Sequence, residues 1–344
     1  MSSPSPQQQS PLHNDTITTT YLYNEILDIT SLCPCQNPKH TFALVDLRSN
    51  EAYEKSHLLA ATNVDIQAIL KQIDEGITEW DELLEKNPGL EAFQQSLFKK
   101  ANYSNQMFIV YDQTSSLQET IDAFTRKIIP LFPRSIVIKS LKSLEGGFDE
   151  MIQKYGSAIC SDFEYPETIE RDSTLLPNEI VPDFLFLGAY IHAYVPKLLE
   201  SLKITKIVNV TPEPHEDHIL QKFGSYQIQI VDHQTMDIKQ HFSEAIEFIK
   251  ECKKNGERVF IHCQKGISRS ASIVLAYLVA AEGLTLQQAY NLTKQARKFI
   301  KPNKGFSNQL GQFEMELNPS LTKPTYRDEA SSCLERSRRR QVLY

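Results

Sequence analysis

Residues 258–283 read RVFIHCQKGISRSASIVLAYLVAAEG. A short β-branched and aromatic run, Arg258–His262, meets a polar loop, Cys263–Ser268, and then a nearly all-apolar helix that begins near Arg269. A run so short and apolar is a strand buried on both faces, and a helix that is apolar all round is enclosed by its own domain. The pair demands an α/β layer with this segment at its centre. A strand–loop–helix corner is also a place where an anion binds, because successive loop N–H groups point inward and the helix N-terminus adds partial positive charge. Gly266 allows a backbone turn that a Cβ would obstruct. Arg269 offers a planar fork for two oxygens of a phosphate. Cys263, at the floor of that field, is favoured as thiolate and becomes a nucleophile for phosphoryl transfer. The phosphate-binding set is therefore Gln264, Lys265, Gly266, Ile267, Ser268 and Arg269. The bland alternative is a core cysteine beside a strand.

The rest of the chain places this corner in the second of two units. With 344 residues, about two domains are expected. TFALVDL (Thr41–Leu47), MFIVYD (Met107–Asp112) and IVIKSL (Ile136–Leu141) read as buried parallel strands, separated by helical patterns over Ile66–Ile77 and Leu117–Phe132. In the second unit, IVPDFLFLG (Ile180–Gly188) reads as a hairpin, and ITKIVNV (Ile204–Val210) and YQIQIVD (Tyr226–Asp232) as strands. The helices expected there are His241–Lys254, Ser270–Gly283, and two more within residues 284–317. The boundaries this implies are a disordered tail over 1–18, a first domain over 19–156, a linker over 157–176, a second domain over 177–318 and a basic tail over 319–344.

Charge and composition narrow the function. A formal net charge of -7 argues against nucleic acid as partner, and no apolar run reaches membrane-spanning length. The N-terminus, MSSPSPQQQSPLHND, has neither a basic start nor an apolar stretch, so no secretory signal is expected. Six irregularly spaced cysteines do not read as a disulfide framework, and Cys33-Pro-Cys35 has no second pair with which to hold zinc. Cys160, Cys252 and Cys333 read as ordinary thiols. The expected location is the cytoplasm, with the nucleus as the alternative.

Cys263-x5-Arg269-Ser270 is the Cys-x5-Arg-Ser/Thr signature of the protein tyrosine phosphatase superfamily, and GISRSA resembles its dual-specificity branch. The resemblance continues through AYLV (Ala276–Val279) and IKPNKGFSNQLGQFE (Ile300–Glu314), covering about Pro177 to Leu317. It implies a central mixed sheet wrapped by helices. It also implies hydrolysis of phosphotyrosine and phosphoserine/threonine through a cysteinyl-phosphate, without a metal or other cofactor. The family draws the leaving-group proton from an aspartate some thirty residues before the cysteine. Asp232, 31 residues upstream, fits that spacing, with Asp237 as the competing carboxylate. The family's Ser270 hydroxyl bonds the thiolate; a helix N-terminal cap is the alternative. His262 reads as a strand-end residue that orders the loop rather than as an acid–base group, and the resemblance makes Asn303, after Pro302, a support of the catalytic loop, with a plain turn asparagine a nearly equal alternative. Lys265 is unusual for this branch and adds positive charge at the rim.

FALVDLRSNEAYEKSHLLAATNV (Phe42–Val64), FIVYDQTSS (Phe108–Ser116) and the stretch Leu141–Met151 resemble a rhodanese-like domain. The two resemblances together match mitogen-activated protein kinase phosphatases. IVPDFLFLG, PKLLESLKITKIVNV and VYDQTSSL are closer still to the serine/threonine/tyrosine-interacting-like proteins, some of which have lost the nucleophile that this chain keeps. An active rhodanese has a cysteine directly after the strand FIVYD. Asp112 stands there, so a non-catalytic binding module is expected, with Asp46, Arg48 and His57 holding the fold. Kinase phosphatases of this architecture usually carry an arginine cluster in the first domain for kinase docking; residues 64–90 have none, which argues against such docking, and RSRRRQVLY (Arg336–Tyr344) is a candidate substitute beside the commoner reading of a solvated tail. The expected partner is a phosphoprotein, a protein kinase among the candidates, with no nucleic acid and no membrane. Rival functions are a phosphoprotein-binding scaffold without activity, or a phosphatase for phosphoinositides or RNA 5′ ends.

Overall fold

In the first unit the three short apolar runs become strands β2 (Phe42–Asp46), β4 (Gln106–Tyr111) and β5 (Ile138–Leu144), and two further strands, β1 (Asp15–Ile17) and β3 (Ala61–Asn63), join them. All pair in parallel, in the order β1-β5-β4-β2-β3. The coordinates, a computed structural model, describe residues 15–30, 42–99, 106–114, 117–131, 138–165 and 175–326. The readings for Cys33-Pro-Cys35, Cys333, residues 1–14 and Arg336–Tyr344 lie outside these. The chain divides into two compact units, the first running to Glu164 and the second beginning at Tyr165.

Helices cover the parallel sheet of the first unit, with Val45, Phe108 and Val110 of the central strands packed against Ile69, Phe93 and Phe124. The helical pattern over Leu117–Phe132 is not one regular helix. An α-helix over Leu117–Ala123 widens into a π turn over Phe124–Ile128 and tightens to 3-10 over Ile129–Leu131. Pro130 explains the break: it has no N–H to give and its ring would meet the carbonyl four residues back.

Three of the expected boundaries shift. Residues 1–18 were expected to be a tail, but Asp15–Ile17 pair with Lys142–Leu144 of β5. Three residues are too few for a readable alternation, and the pairing is through backbone. The expected linker begins later than 157: Ala158 and Ile159 are buried, Leu58 and Cys160 form a bridge, and the Ser161 hydroxyl meets His57 Nδ1 at 3.2 Å. The basic tail begins later than 319, because Thr325 donates its N–H to Glu314 Oε2 at 2.8 Å and the Tyr326 ring lies 4.4 Å from that of Tyr290.

The second unit holds a mixed sheet of β6 (Asn178–Val181), β7 (Leu185–Ala189), β10 (Arg258–Cys263), β8 (Ile204–Asn209) and β9 (Gly224–Gln227), in that order. Only β6 runs antiparallel, as the outer arm of the hairpin with β7. Strand β10 is central, with parallel neighbours on both sides, and Val259, Phe260 and Ile261 are wholly buried. The helix Arg269–Ala281 follows it and buries each residue from Arg269 to Leu278. Helices Phe242–Lys254, Leu286–Ala296 and Lys304–Leu317 surround it. The strand expected over Tyr226–Asp232 stops at Gln227. Ile228 and Ile230 still alternate inward, but β8 ends at Asn209 and offers no further ladder. The chain is thereby released into a loop that carries Asp232.

Candidate active site

The corner forms where the sequence places it. β10 ends at Cys263, the loop runs over 264–268, and the helix starts at Arg269. Gly266 has φ +66°, and a Cβ there would stand 2.4 Å from the Gly188 carbonyl oxygen, so both conformation and space require glycine.

Three successive loop carbonyls are drawn outward. Arg297 Nη2 donates to Lys265 O at 3.0 Å and its Nε to Gly266 O at 2.8 Å, and the Lys301 N–H donates to Ile267 O at 2.8 Å. A trans peptide unit points its N–H opposite to its carbonyl. The N–H groups of Gly266, Ile267 and Ser268 are therefore turned to the other side, into the loop. Arg297 is fully buried and is also anchored to Asn178 Oδ1 at 2.7 Å. Sequence reasoning missed Arg297, since an arginine at the end of a helix reads as solvated. Its signal would have been its position opposite a loop rich in carbonyls, which only the fold reveals.

Inside the loop, Ser270 Oγ donates to Cys263 Sγ at 3.1 Å. Burial alone would push the Cys263 thiol up. The Ser270 hydroxyl and N–H, the Arg269 charge and the Ile267 N–H outweigh it and bring Cys263 below the usual thiol value. The other described cysteines go the opposite way: burial pushes Cys160 up to about 11 and Cys252 to about 12. Arg269 is 8% exposed and donates from Nη1 to Ile230 O at 3.1 Å. Its buried Nε has no hydrogen-bond partner among the described residues and lies 3.7 Å from Asp232 Oδ2. A buried guanidinium N–H without a partner at the mouth of a ring of N–H groups is what an oxyanion would satisfy. Gln264 and Lys265 are exposed at the rim.

Asp232 stands across the loop, with Oδ1 accepting from Ser268 Oγ at 2.8 Å and Asn303 Nδ2 at 2.9 Å. Asn303 also caps the helix Lys304–Leu317 through Oδ1 to the Phe306 N–H and gives its own N–H to Ser268 Oγ. Cap and support are thus one arrangement. The loop bearing Asp232 is tied to that helix: Gln309 Oε1 accepts from the Ile238 and Lys239 N–H groups, and its Nε2 donates to Met236 O. A Cβ on Gly305 would stand 1.8 Å from the Gln234 carbonyl oxygen. Asp237 turns away and accepts from the Gln240 N–H at 3.3 Å. His262 is wholly buried beside Cys263, and burial holds its ring well below the usual histidine range, hence neutral. The described residues hold no cluster of three or more metal-ligating side chains. No described helix is long and apolar enough to cross a membrane.

The corresponding strand end of the first unit is built differently. Arg48 pairs with Asp46 at 2.6 Å, both buried, and reaches Ser56 O; Tyr111 OH donates to Asp46 Oδ2 at 2.8 Å. His57 stacks on Tyr53 and meets its carbonyl at 2.9 Å. Asp112, where β4 ends, accepts from the Thr114 N–H, and burial raises it to about 6.

The chain matches the dual specificity phosphatase catalytic domain over residues 185–316 and the rhodanese-like domain over 34–154. It is 31% identical over 318 residues to a probable rhodanese domain-containing dual specificity protein phosphatase of Dictyostelium discoideum, covering 80% of this chain and 65% of that one. It thus spans just under two thirds of that relative's length. To dual specificity protein phosphatase 4 of Homo sapiens it is 30% identical over 300 residues, covering 80% of this chain and 73% of the relative. Among solved structures, the human tyrosine phosphatase-like serine/threonine/tyrosine-interacting protein is 32% identical, over 41% of this chain and 96% of that chain, with a TM-score of 0.38.

Proposed function

Because the chain belongs to the dual specificity protein phosphatases that carry a rhodanese-like domain, we propose that it hydrolyses phosphotyrosine and phosphoserine or phosphothreonine in proteins through a cysteinyl-phosphate. The observation that carries this reading is the thiol of Cys263, held below its usual pKa at the floor of a loop in which three successive carbonyls, of Lys265, Gly266 and Ile267, are tied outward.

The phosphate monoester enters with its non-bridging oxygens on the loop N–H groups and the Arg269 fork. Cys263 Sγ attacks phosphorus, the sulfur–phosphorus bond forms and the bond to the seryl or tyrosyl oxygen breaks. Asp232 gives its proton to that oxygen from Oδ2, the carboxylate oxygen not engaged by Ser268 and Asn303. In the second half the carboxylate takes a proton from water, water oxygen attacks phosphorus, and the thiolate leaves as Ser270 donates to it. The Asn303–Ser268–Asp232 contacts and the Gln309 tethers keep the acid facing the loop. His262 stays neutral and supports the loop.

The first unit serves as a non-catalytic module that binds the phosphoprotein or kinase partner. Asp112 stands where a sulfur-transferring cysteine would be needed, and Asp46, Arg48 and His57 are consumed by internal contacts. Cytoplasm or nucleus is the proposed location. The test is a panel of phosphotyrosyl, phosphoseryl and phosphothreonyl peptides, phosphoinositides and 5′-phosphorylated RNA, given to wild type and Cys263→Ser. Turnover of the phosphopeptides by wild type alone is expected; turnover confined to the lipids or RNA would overturn the reading.

A further inference from the structure

Beneath Cys263 lies a contact that the chemistry above does not use. His262 Nε2 is 2.9 Å from His215 Nε2, with ring centroids 4.9 Å apart. His215 is 5% exposed and His262 is fully buried, with a Nδ1 that has no hydrogen-bond partner among the described residues. Two imidazole nitrogens approach this closely only as N–H···N, with one ring donating and the other accepting, because two N–H groups or two lone pairs would repel. Burial pushes both rings below the usual histidine range, which keeps one ring able to accept. The groups facing the pair are His192 from the turn after β7, Arg269 from the helix after the loop, the Cys263 backbone, and the Tyr194 ring against His215.

The segment that delivers His215 is braced. It follows β8, whose end is tied to β10 by the Val210 N–H donating to His262 O at 2.9 Å. The Asn209 amide donates to Glu213 O at 2.9 Å, and the Thr211 hydroxyl meets Asn209 Oδ1 at 2.7 Å and Glu213 O at 2.9 Å. Pro212 and Pro214 remove two backbone rotations just before His215. Nothing in TPEPHED distinguishes His215 from a solvated turn residue; only the fold brings it under the loop.

We propose that His215 is a positioning residue for the phosphate loop: its hydrogen bond holds His262 in one tautomer and orientation, and thereby the backbone that aims Cys263 Sγ. This rests on the phosphatase reading of the same site. His262 and Cys263 share a peptide unit, so a His262 side chain that repacks without its partner shifts the Cα to which that peptide is joined, and with it the Sγ that sits among the Ile267 and Ser270 N–H groups. The thiolate then loses part of the stabilisation that lowers its pKa.

The test uses the full chain as wild type, His215→Phe and His215→Gln, with Cys263→Ser as the blank. Phenylalanine fills the space and keeps the Tyr194 contact without a ring nitrogen; glutamine restores an amide that can donate or accept. Two quantities are read: the pH midpoint of iodoacetamide alkylation at Cys263, and kcat and KM on p-nitrophenyl phosphate. In His215→Phe the midpoint is expected to rise by about one pH unit, slowing alkylation below the midpoint about tenfold. kcat falls about tenfold with KM changed less than about threefold, and His215→Gln returns to within about threefold of wild type. A role limited to packing would lower the folded fraction without moving the alkylation midpoint. Should His215→Phe not fold, His215→Asn, whose amide is too short to reach His262, replaces it on the same criteria. An unmoved midpoint, or a glutamine variant as impaired as the phenylalanine one, overturns the proposal. A wild type inert on every phosphate ester would end the phosphatase reading, while the alkylation comparison would still decide the role of His215.

Discussion

Replacing Arg297 with methionine should damage the phosphate loop more than any exposed charge change in the chain. The side chain makes charge-assisted contacts to Gly266 O at 2.8 Å, Lys265 O at 3.0 Å and Asn178 Oδ1 at 2.7 Å. Hydrogen bonds to charged groups contribute about 1.5–3 kcal/mol each, but they are not additive, and removing one side of a buried charged network typically costs about 3–5 kcal/mol. Methionine fills most of the volume, so the loss is mainly the carbonyls left without donors. Arg297→Lys keeps the charge but not the planar fork and should fall between. Urea unfolding followed by phosphatase activity reads the second unit. Fluorescence of Trp80, the chain's one tryptophan, reads the first and serves as an internal control. The second effect is on affinity. Carbonyls no longer drawn outward let the peptide units turn, and each N–H lost from the anion weakens binding. The inhibition constant for orthovanadate should rise by about tenfold or more, equivalent to about 1.4 kcal/mol. An Arg297→Met protein with unchanged orthovanadate inhibition and a second-unit stability within about 1 kcal/mol of wild type would refute the reasoning.

Asp232→Asn should lower kcat by about 10²–10⁴ on alkyl phosphoserine and much less on p-nitrophenyl phosphate, while Asp237→Asn stays near wild type on both; the reverse pattern would move the acid to Asp237. Asp112→Asn bears on the first unit's pH dependence. Burial raises the folded pKa of Asp112 from 3.8 to about 6, so the stability associated with its neutral form is complete below about pH 4 and lost as pH rises through 6. The asparagine variant should flatten thermal stability between pH 4 and 7 and add about 1–2 kcal/mol at pH 7 after allowing for solvent screening; a wild type without that slope would contradict this. Asp46→Asn leaves the Arg48 charge buried beside Tyr111 and should destabilise the first unit by about 3–5 kcal/mol by the Trp80 signal, and a change below about 1 kcal/mol would remove Asp46 as a fold-holding residue.

Much of this was legible because the signals were local. β10, the loop and the apolar helix announce themselves through composition over 26 adjacent residues, from Arg258 to Gly283. The positive φ of Gly266 and the Asn303 cap are set by requirements of one or two turns of chain, whereas the closeness of Gly188 to Gly266 is not. The misread boundaries involve partners distant in sequence: β1 exists only by pairing with β5, and Ala158 and Ile159 are ordered by the bridge to Leu58. β9 ends early because of where β8 ends, which the alternation in YQIQIVD cannot express. Arg297 and His215 were invisible for a related reason. Each is a polar residue in a polar stretch, and its burial follows from the approach of segments 31 and 47 residues away along the chain, at Gly266 and His262.

The most direct test of the central chemistry is to trap the covalent intermediate. Wild-type protein mixed with a phosphotyrosyl peptide, quenched in alkaline denaturant within one turnover and digested at mildly alkaline pH, should yield one phosphorylated peptide containing Cys263, with the phosphate lost on mild acid or iodine treatment. Cys263→Ser should give no such peptide and no turnover, yet still bind the phosphopeptide through the loop N–H groups and Arg269. Phosphate found on another residue, or turnover by Cys263→Ser above about one per cent of wild type, where loss of a covalent nucleophile removes far more, would contradict the account.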